Sequence, residues 1–216
     1  MSFMAASATV GGAKGLRTRG CSMRRSVREF VEACARVLDF AEPVYEFGSL
    51  QVEGQAGIAD LRGLFPDKTY VGCDRREGRG VDRLLDLHAI DLADGTAGSI
   101  LCLDTLEHVE FPRRAMAEML RILGPGGVAV VSSTMYFPIH EHPRDYWRFT
   151  PDGFASLLGE FDGALVESAG WGDFPALVVG VGWKGAIPGG SAARLSRALA
   201  GWKRRWSTPP LCPARE

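Results

Sequence analysis

Two short stretches of this 216-residue chain gather the side chains that can move protons. One is Asp104-Thr105-Leu106-Glu107-His108, and the other runs from Phe137 to Thr150 as FPIHEHPRDYWRFT. An imidazole titrates near neutrality, so His140 or His142 is a candidate general base. Asp145 is a further catalytic candidate. With Arg148 it either binds a substrate or braces the loop as an ion pair. Tyr146 and Trp147 suit the walls of a substrate pocket. His108 is a second base or substrate contact, or it donates to a backbone carbonyl and holds its own loop. His140, His142 and Asp145 can also be read as metal ligands, but His-x-His with no further ligand is thin support, and no metal is expected.

Both stretches follow apolar runs that would carry them. Ser99–Leu103 reads as a buried strand that ends at Asp104. Pro112 suits the first turn of a helix. Met116, Met119, Leu120 and Leu123 then recur at helical spacing, opposite Arg113, Arg114, Glu118 and Arg121. Gly124-Pro125-Gly126-Gly127 should stop that helix, and Val128–Ser133 should form the next strand. Strand, helix and strand joined this tightly imply parallel pairing, with the sheet buried on both faces. Loops beyond the carboxyl ends of such strands form the ligand crevice. Both stretches belong to that rim.

The front half of the chain supplies the rest of the crevice. Ser26-Val27-Arg28-Glu29 has the form of a capping box. It should open a helix whose stripe of Val27, Phe30, Val31, Cys34, Val37 and Leu38 runs to about Phe40 and packs on the domain or covers its pocket. Val44–Phe47 predicts the first strand, with Gly48 as its exit. Ile58, Leu61, Leu64 and Phe65 predict a helix closed by Pro66. Thr69–Asp74 predicts a second strand ending in an acid. Strand, glycine turn, helix, strand and terminal acid is the pattern that holds an adenosine ribose, Asp74 accepting from its two hydroxyls. The phosphate-binding glycines are missing, because Leu50 and Glu53 stand where GxGxxG needs glycine. An adenosine ligand without phosphates is therefore expected, and S-adenosylmethionine is the common one. Its amino-acid end is a zwitterion, which Glu46, Gly48 and a following helix N-terminus can satisfy. Leu84-Leu85-Asp86-Leu87 reads as a short third strand with Asp86 near the adenine edge. Thr150-Pro151-Asp152-Gly153 starts a later helix, and Ala164–Val166 and Leu177–Val181 are the last strands.

These features together resemble the class I S-adenosylmethionine-dependent methyltransferases over about residues 44–182. The resemblance rests on Glu46-Phe47-Gly48-Ser49, Tyr70-Val71-Gly72-Cys73-Asp74, Leu103-Asp104-Thr105-Leu106-Glu107-His108-Val109 and Arg121-Ile122-Leu123-Gly124-Pro125-Gly126-Gly127. It implies an α/β fold, a Rossmann-like three-layer sandwich whose mostly parallel seven-stranded sheet has one antiparallel strand near its C-terminal edge. It places Gly48 under the cofactor, with Glu46 and Ser49 beside it and Asp74 on the ribose. Asp86 and Leu87 would lie by the adenine, and Asp104 and Thr105 by the methionine part. The loop after Gly48 is longer and poorer in glycine than the family's usual G-x-G.

Composition narrows the acceptor. A net charge of −1 argues against a general nucleic-acid binder. The five cysteines (Cys21, Cys34, Cys73, Cys102, Cys212) form no CxxC, which suits a reduced, cytoplasmic protein. Residues 1–21 read as a disordered leader, 22–182 as the α/β domain and 183–216 as a basic tail. In the tail, Leu195, Leu199, Trp202 and Trp206 share a stripe flanked by Arg194, Arg197, Lys203, Arg204 and Arg205. Residues 191–206 are thus expected either to touch a membrane surface or to dock on the domain itself or a second copy. The oligomeric state is left open. The expected activity is methyl transfer to a small-molecule or glycan-type acceptor, with oxygen as the acceptor atom. The alternative is a catalytically degenerate methyltransferase fold serving as a scaffold subunit. A nicotinamide-dependent oxidoreductase is disfavoured by the missing phosphate glycines.

Overall fold

Seven strands pair into one sheet in the order β3-β2-β1-β4-β5-β7-β6. The computed structural model describes residues 17–51, 57–140, 143–171 and 174–207. The strands are β1 (Val44–Phe47), β2 (Tyr70–Asp74), β3 (Arg83–Leu84), β4 (Ala97–Cys102), β5 (Leu123–Thr134), β6 (Gly163–Trp171) and β7 (Phe174–Trp183). The helices are α1 (Arg17–Ala35), α2 (Pro112–Ile122), α3 (Pro151–Leu157) and α4 (Ser191–Trp206). Pairing is parallel from β3 through β5. β7 runs against both of its neighbours. The expected three-layer Rossmann-like sandwich is present, with its antiparallel strand next to the edge.

Each face of the sheet is closed by a pair of helices. On one face Met116, Met119 and Ile122 of α2 and Phe154 of α3 pack with Phe47, Cys102 and Val131. On the other, Phe30 and Val31 of α1 and Leu195, Leu199 and Trp202 of α4 pack with Val44, Leu101, Val130 and Val179. Thr150 caps α3, its hydroxyl accepting the Gly153 N–H, as the Thr-Pro start implies.

Four local expectations need correction. α1 runs from Arg17 to Ala35, so Ser26 lies inside the helix rather than at its cap, and residues 17–21 are helical rather than leader. Between β1 and β2, the helix expected around residues 58–65 is, among the described residues, a single 3-10 turn at Arg62–Leu64. The Asp60 carboxylate accepts the Arg62 N–H at 3.1 Å and fixes a turn there, Gly63 weakens any helix, and Phe65, the residue before Pro66, has left the helical region at φ −126° and ψ 57°. Leu61 and Phe65 are nevertheless buried, so the apolar pattern reported burial and not helix length. β3 stops at Leu84, because Asp86 takes the His88 N–H at 2.8 Å and turns the chain. Finally, Leu123 already pairs with Ala97 while Ser99 pairs with Val128, so Gly124–Gly127 is an excursion carried within β5. The Lys184 ammonium closes the α2 end instead, donating to Leu120 and Leu123 carbonyls at 2.9 and 2.8 Å.

The tail stripe is turned inward. Leu195, Leu199 and Trp202 are buried against α1, and the Trp202 indole donates to the Ser26 carbonyl at 2.8 Å. The Trp206 indole and the Arg205 guanidinium both reach the Glu29 carboxylate, at 3.0 and 2.8 Å. Lys203 reaches Glu167 on β6 at 2.7 Å. Of the alternatives open for this stripe, a membrane surface or docking on the domain or a second copy, the structure shows docking on the chain's own first helix. No described helix is long and apolar enough to cross a membrane.

Candidate active site

One crevice opens at the carboxyl ends of β1, β2 and β4, with a volume of about 240 Å³. Gly48, Asp74, Asp86, Leu87, Asp104, Thr105 and His108 all line it, so the structure brings these separate predictions together. Glu46 and Ser49 lie in a smaller lobe that shares Gly48 and Leu50 with the crevice and is walled by Val27 and Arg28 of α1. Arg28 ties α1 to that wall by donating to the Asp60 carbonyl at 2.7 Å.

The crevice floor is set by a close approach. Gly48 has φ +80°, and a Cβ there would come within 2.0 Å of the Thr105 hydroxyl. That hydroxyl donates to the Leu103 carbonyl at 2.8 Å. Asp104 adopts φ +45°, a conformation Asp tolerates better than most side chains. Its N–H donates to the Ser132 carbonyl, and the Ser132 hydroxyl donates to its carboxylate at 2.8 Å. β5 thereby holds the acid at the end of β4.

Two acid–base pairs line the β2 side of the crevice. The Asp74 carboxylate accepts the Arg76 N–H at 2.9 Å, and the Arg76 guanidinium stands 3.7 Å away. Asp86 accepts from the backbone N–H and the ring Nδ1 of His88, both at 2.8 Å, and faces Arg75 at 3.5 Å. Burial alone would raise the Asp86 carboxyl, but these bonds and the Arg75 charge hold it below the usual range. His88 Nε2 accepts the Phe111 N–H, so the tautomer with the proton on Nδ1 satisfies both contacts. Cys73 also lines the crevice, but burial pushes its thiol up to about 12, which removes it as a competing nucleophile near neutrality. Glu46 is committed elsewhere, accepting from the Tyr70 hydroxyl at 2.7 Å.

The second loop is braced across the crevice mouth. Arg148 grips the Asp145 carboxylate with two nitrogens, at 2.5 and 2.7 Å, and donates to the Phe137 and Pro138 carbonyls. The His140 N–H completes the lock on Asp145 at 2.8 Å. Asp145 as a catalytic group is thus corrected to a brace, since both of its oxygens are engaged. Arg148 likewise faces its own loop. Tyr146 and Trp147 are partly exposed beside the crevice rather than lining it, their N–H groups both held by the Glu107 carbonyl. His142 lies outside the described residues. His108 Nδ1 meets the Arg144 carbonyl at 2.5 Å, and the His108 and His140 rings stand 4.8 Å apart, edge to face.

The lock makes a pH prediction. Arg148 hydrogen bonds, opposed by burial and aided by the His140 N–H, hold the Asp145 carboxyl well below the ordinary carboxylate range. Because the folded value is the lower one, the stability is fully present above the unfolded value of about 4 and is lost as pH falls below it. Chemical denaturation from about pH 5 to pH 2 should show a shallower loss in Asp145→Asn than in the native chain. Equal slopes would mean the pair contributes nothing.

Arg75, Arg76, His88 and Glu107 were not anticipated. The first two follow the terminal acid of β2 directly, which is a readable signal. The burial of Glu107, fully shielded with its carboxylate on the Ser133 hydroxyl at 2.7 Å, had none.

Residues 48–131 match the family model described as a methyltransferase domain. Over that segment the chain is similar to methyltransferase domains. Among solved structures, a chain in the complex between the Haloferax volcanii Trm112 methyltransferase activator and a methyltransferase is similar at 16% identity. That match covers 81% of this chain and 96% of the other, with a TM-score of 0.53. A SAM-dependent methyltransferase of Thermotoga maritima is similar at 18% identity, over 78% and 97%, with a TM-score of 0.54. One from Aquifex aeolicus is similar at 16%, over 73% and 92%, with a TM-score of 0.50. At these identities the likeness is one of fold. No curated protein sequence matches the chain.

S-adenosylmethionine is the cofactor that such a methyltransferase domain uses, and the residues present suit it. Carboxylates at Asp74 and Asp86 can accept from ribose hydroxyls and an exocyclic amine. Leu50 stands at the crevice where a phosphate-binding chain would need glycine. The Ser49 hydroxyl is buried with no partner among the described residues and is placed to serve a polar ligand atom next to Gly48. Among the described residues between β1 and β2, the only helical turn that could meet the amino-acid end is the 3-10 turn at Arg62–Leu64.

Proposed function

We propose that the protein transfers a methyl group from S-adenosylmethionine to an oxygen of a small-molecule or glycan-type acceptor. The observation that supports this best is the convergence of Asp74, Asp86, Asp104 and Thr105 on one crevice with His108 at its mouth. Bound there, the cofactor supplies a sulfonium methyl: the acceptor oxygen bonds to the methyl carbon as the carbon–sulfur bond breaks and its electron pair goes to sulfur. Asp74 holds the ribose, and Asp104 and Thr105 meet the methionine part. Alignment of acceptor with methyl supplies much of the rate. The histidine pair takes the acceptor proton. His108 Nδ1 faces the Arg144 carbonyl at 2.5 Å, and His140 Nδ1 faces the Pro138 carbonyl and the Asp145 carboxylate, both at 3.2 Å. Both rings therefore carry the proton on Nδ1, which leaves Nε2 as the basic nitrogen.

Calorimetric titration with S-adenosylmethionine and S-adenosylhomocysteine tests the cofactor. Asp74→Ala should weaken binding roughly 10- to 100-fold, the loss of a charged hydrogen-bonding partner. No heat from the native chain would remove the reading. Binding without turnover on any acceptor would favour the scaffold reading, which draws on the glycine-poor loop after Gly48.

A further inference from the structure

We infer that Glu107, His108 and His140 form a binding site for a divalent transition-metal cation at the crevice mouth. Each offers one donor atom, and the three donors lie within 4.8 Å of one another. Two imidazoles with one carboxylate suit Zn²⁺ or Fe²⁺, whereas Mg²⁺ and Ca²⁺ prefer sites built of oxygen. Metal–ligand bonds of about 2.0–2.1 Å in a tetrahedral site set donors roughly 3.4 Å apart. The set must contract toward that spacing when an ion binds.

The surroundings of the three residues point the same way. Metal-bound histidines are oriented by a partner on the other ring nitrogen. Here His108 Nδ1 meets the Arg144 carbonyl at 2.5 Å, and His140 Nδ1 meets the Asp145 carboxylate at 3.2 Å. An ion would take Nε2 of each. Glu107 is oriented by the Ser133 hydroxyl at 2.7 Å. Its side chain is fully buried, and a cation beside it offsets the cost of keeping a charge out of water. The donors come from two segments, yet the Tyr146 and Trp147 N–H groups on the Glu107 carbonyl keep those segments in register. Asp145, considered as a ligand in the sequence, is a supporting group behind His140.

His108 lines the crevice with Asp104 and Thr105, so a remaining position on the ion faces the space where an acceptor must enter. A hydroxyl bound there loses its proton more readily. This deepens the proposed function, on which it rests: with Nε2 of both rings on the ion, the bound ion replaces the free imidazoles as the group that activates the acceptor, and the site is independent of which cofactor binds.

The test is titration of the full chain, first stripped with a chelator, with Co²⁺ followed by visible absorption. One Co²⁺ per chain with ligand-field bands, displaced by Zn²⁺, is expected. His140→Ala, at a partly exposed loop position, should keep its circular dichroism spectrum and lose Co²⁺ affinity by at least roughly 10- to 100-fold. Glu107→Gln should do the same. Bands that survive His140→Ala, a sulfur-to-cobalt charge-transfer band, or no bands in excess Co²⁺ would each overturn the site. Failure of S-adenosylmethionine to bind while Co²⁺ binds would remove the cofactor reading and leave the cation site standing.

Discussion

Gly48→Ala should abolish measurable S-adenosylmethionine binding while leaving a folded, less stable chain. Its Cβ would lie 2.0 Å from the Thr105 hydroxyl and 3.0 Å from both carbons of the Thr105 side chain beyond Cα. Rotating Thr105 exchanges one clash for another and breaks its bond to the Leu103 carbonyl. The φ of +80° adds about 1–2 kcal/mol for any residue with a Cβ. Thr105 is then driven toward the space between β1 and β4 that the cofactor needs. An affinity loss on the order of 100-fold or more corresponds to about 2.7 kcal/mol. Calorimetry of the variant checks it, alongside thermal unfolding. Binding within about threefold of the native chain would show that Gly48 is not under the ligand.

Trp202→Ala should cost about 3–5 kcal/mol, the usual loss for emptying a large buried aromatic site. The ring is 4% exposed, packs 5.7 Å from Phe30, and spends its N–H on the Ser26 carbonyl. Removing it leaves a cavity between α1 and α4 and takes from the Ser26 carbonyl the indole N–H that ties the two helices together. Because α1 also walls the small lobe beside Gly48, cofactor affinity should fall along with stability. Urea denaturation measures the first effect and calorimetry the second. A change under about 1 kcal/mol would mean that α4 is an appendage rather than part of the core.

The sheet was legible in the sequence wherever a strand is buried on both faces. Val44–Phe47, Tyr70–Asp74 and Ser99–Cys102 are apolar runs that end in glycine or an acid, and the crevice residues sit at those ends. α2 was legible for a different reason: Pro112 and the Met116–Met119 spacing are local signals. What escaped was non-local. No periodicity distinguishes an apolar stripe that meets lipid from one that meets Phe30 and Val31, so the docking of α4 could not be read from residues 191–206 alone. The buried carboxylate of Glu107 looks like any loop acid until β5 supplies Ser133. The Asp145–Arg148 pair left two meanings open, and only the carbonyls of Phe137 and Pro138 around the guanidinium decide for a brace. At residues 58–65 a correct burial pattern carried a wrong element, because Asp60 and Gly63 outweighed it.

The clasp between Trp202 and Ser26 joins positions 176 residues apart. A closure of that span raises the contact order of the whole domain, and its entropic cost is met only by contacts that form at the same moment. The sheet from β1 to β5 can assemble from nearer neighbours first. The α1 face opposite α4 is complete only once residues 191–206 dock on it, whereas its tie to the small lobe, Arg28 on the Asp60 carbonyl, spans only 32 residues.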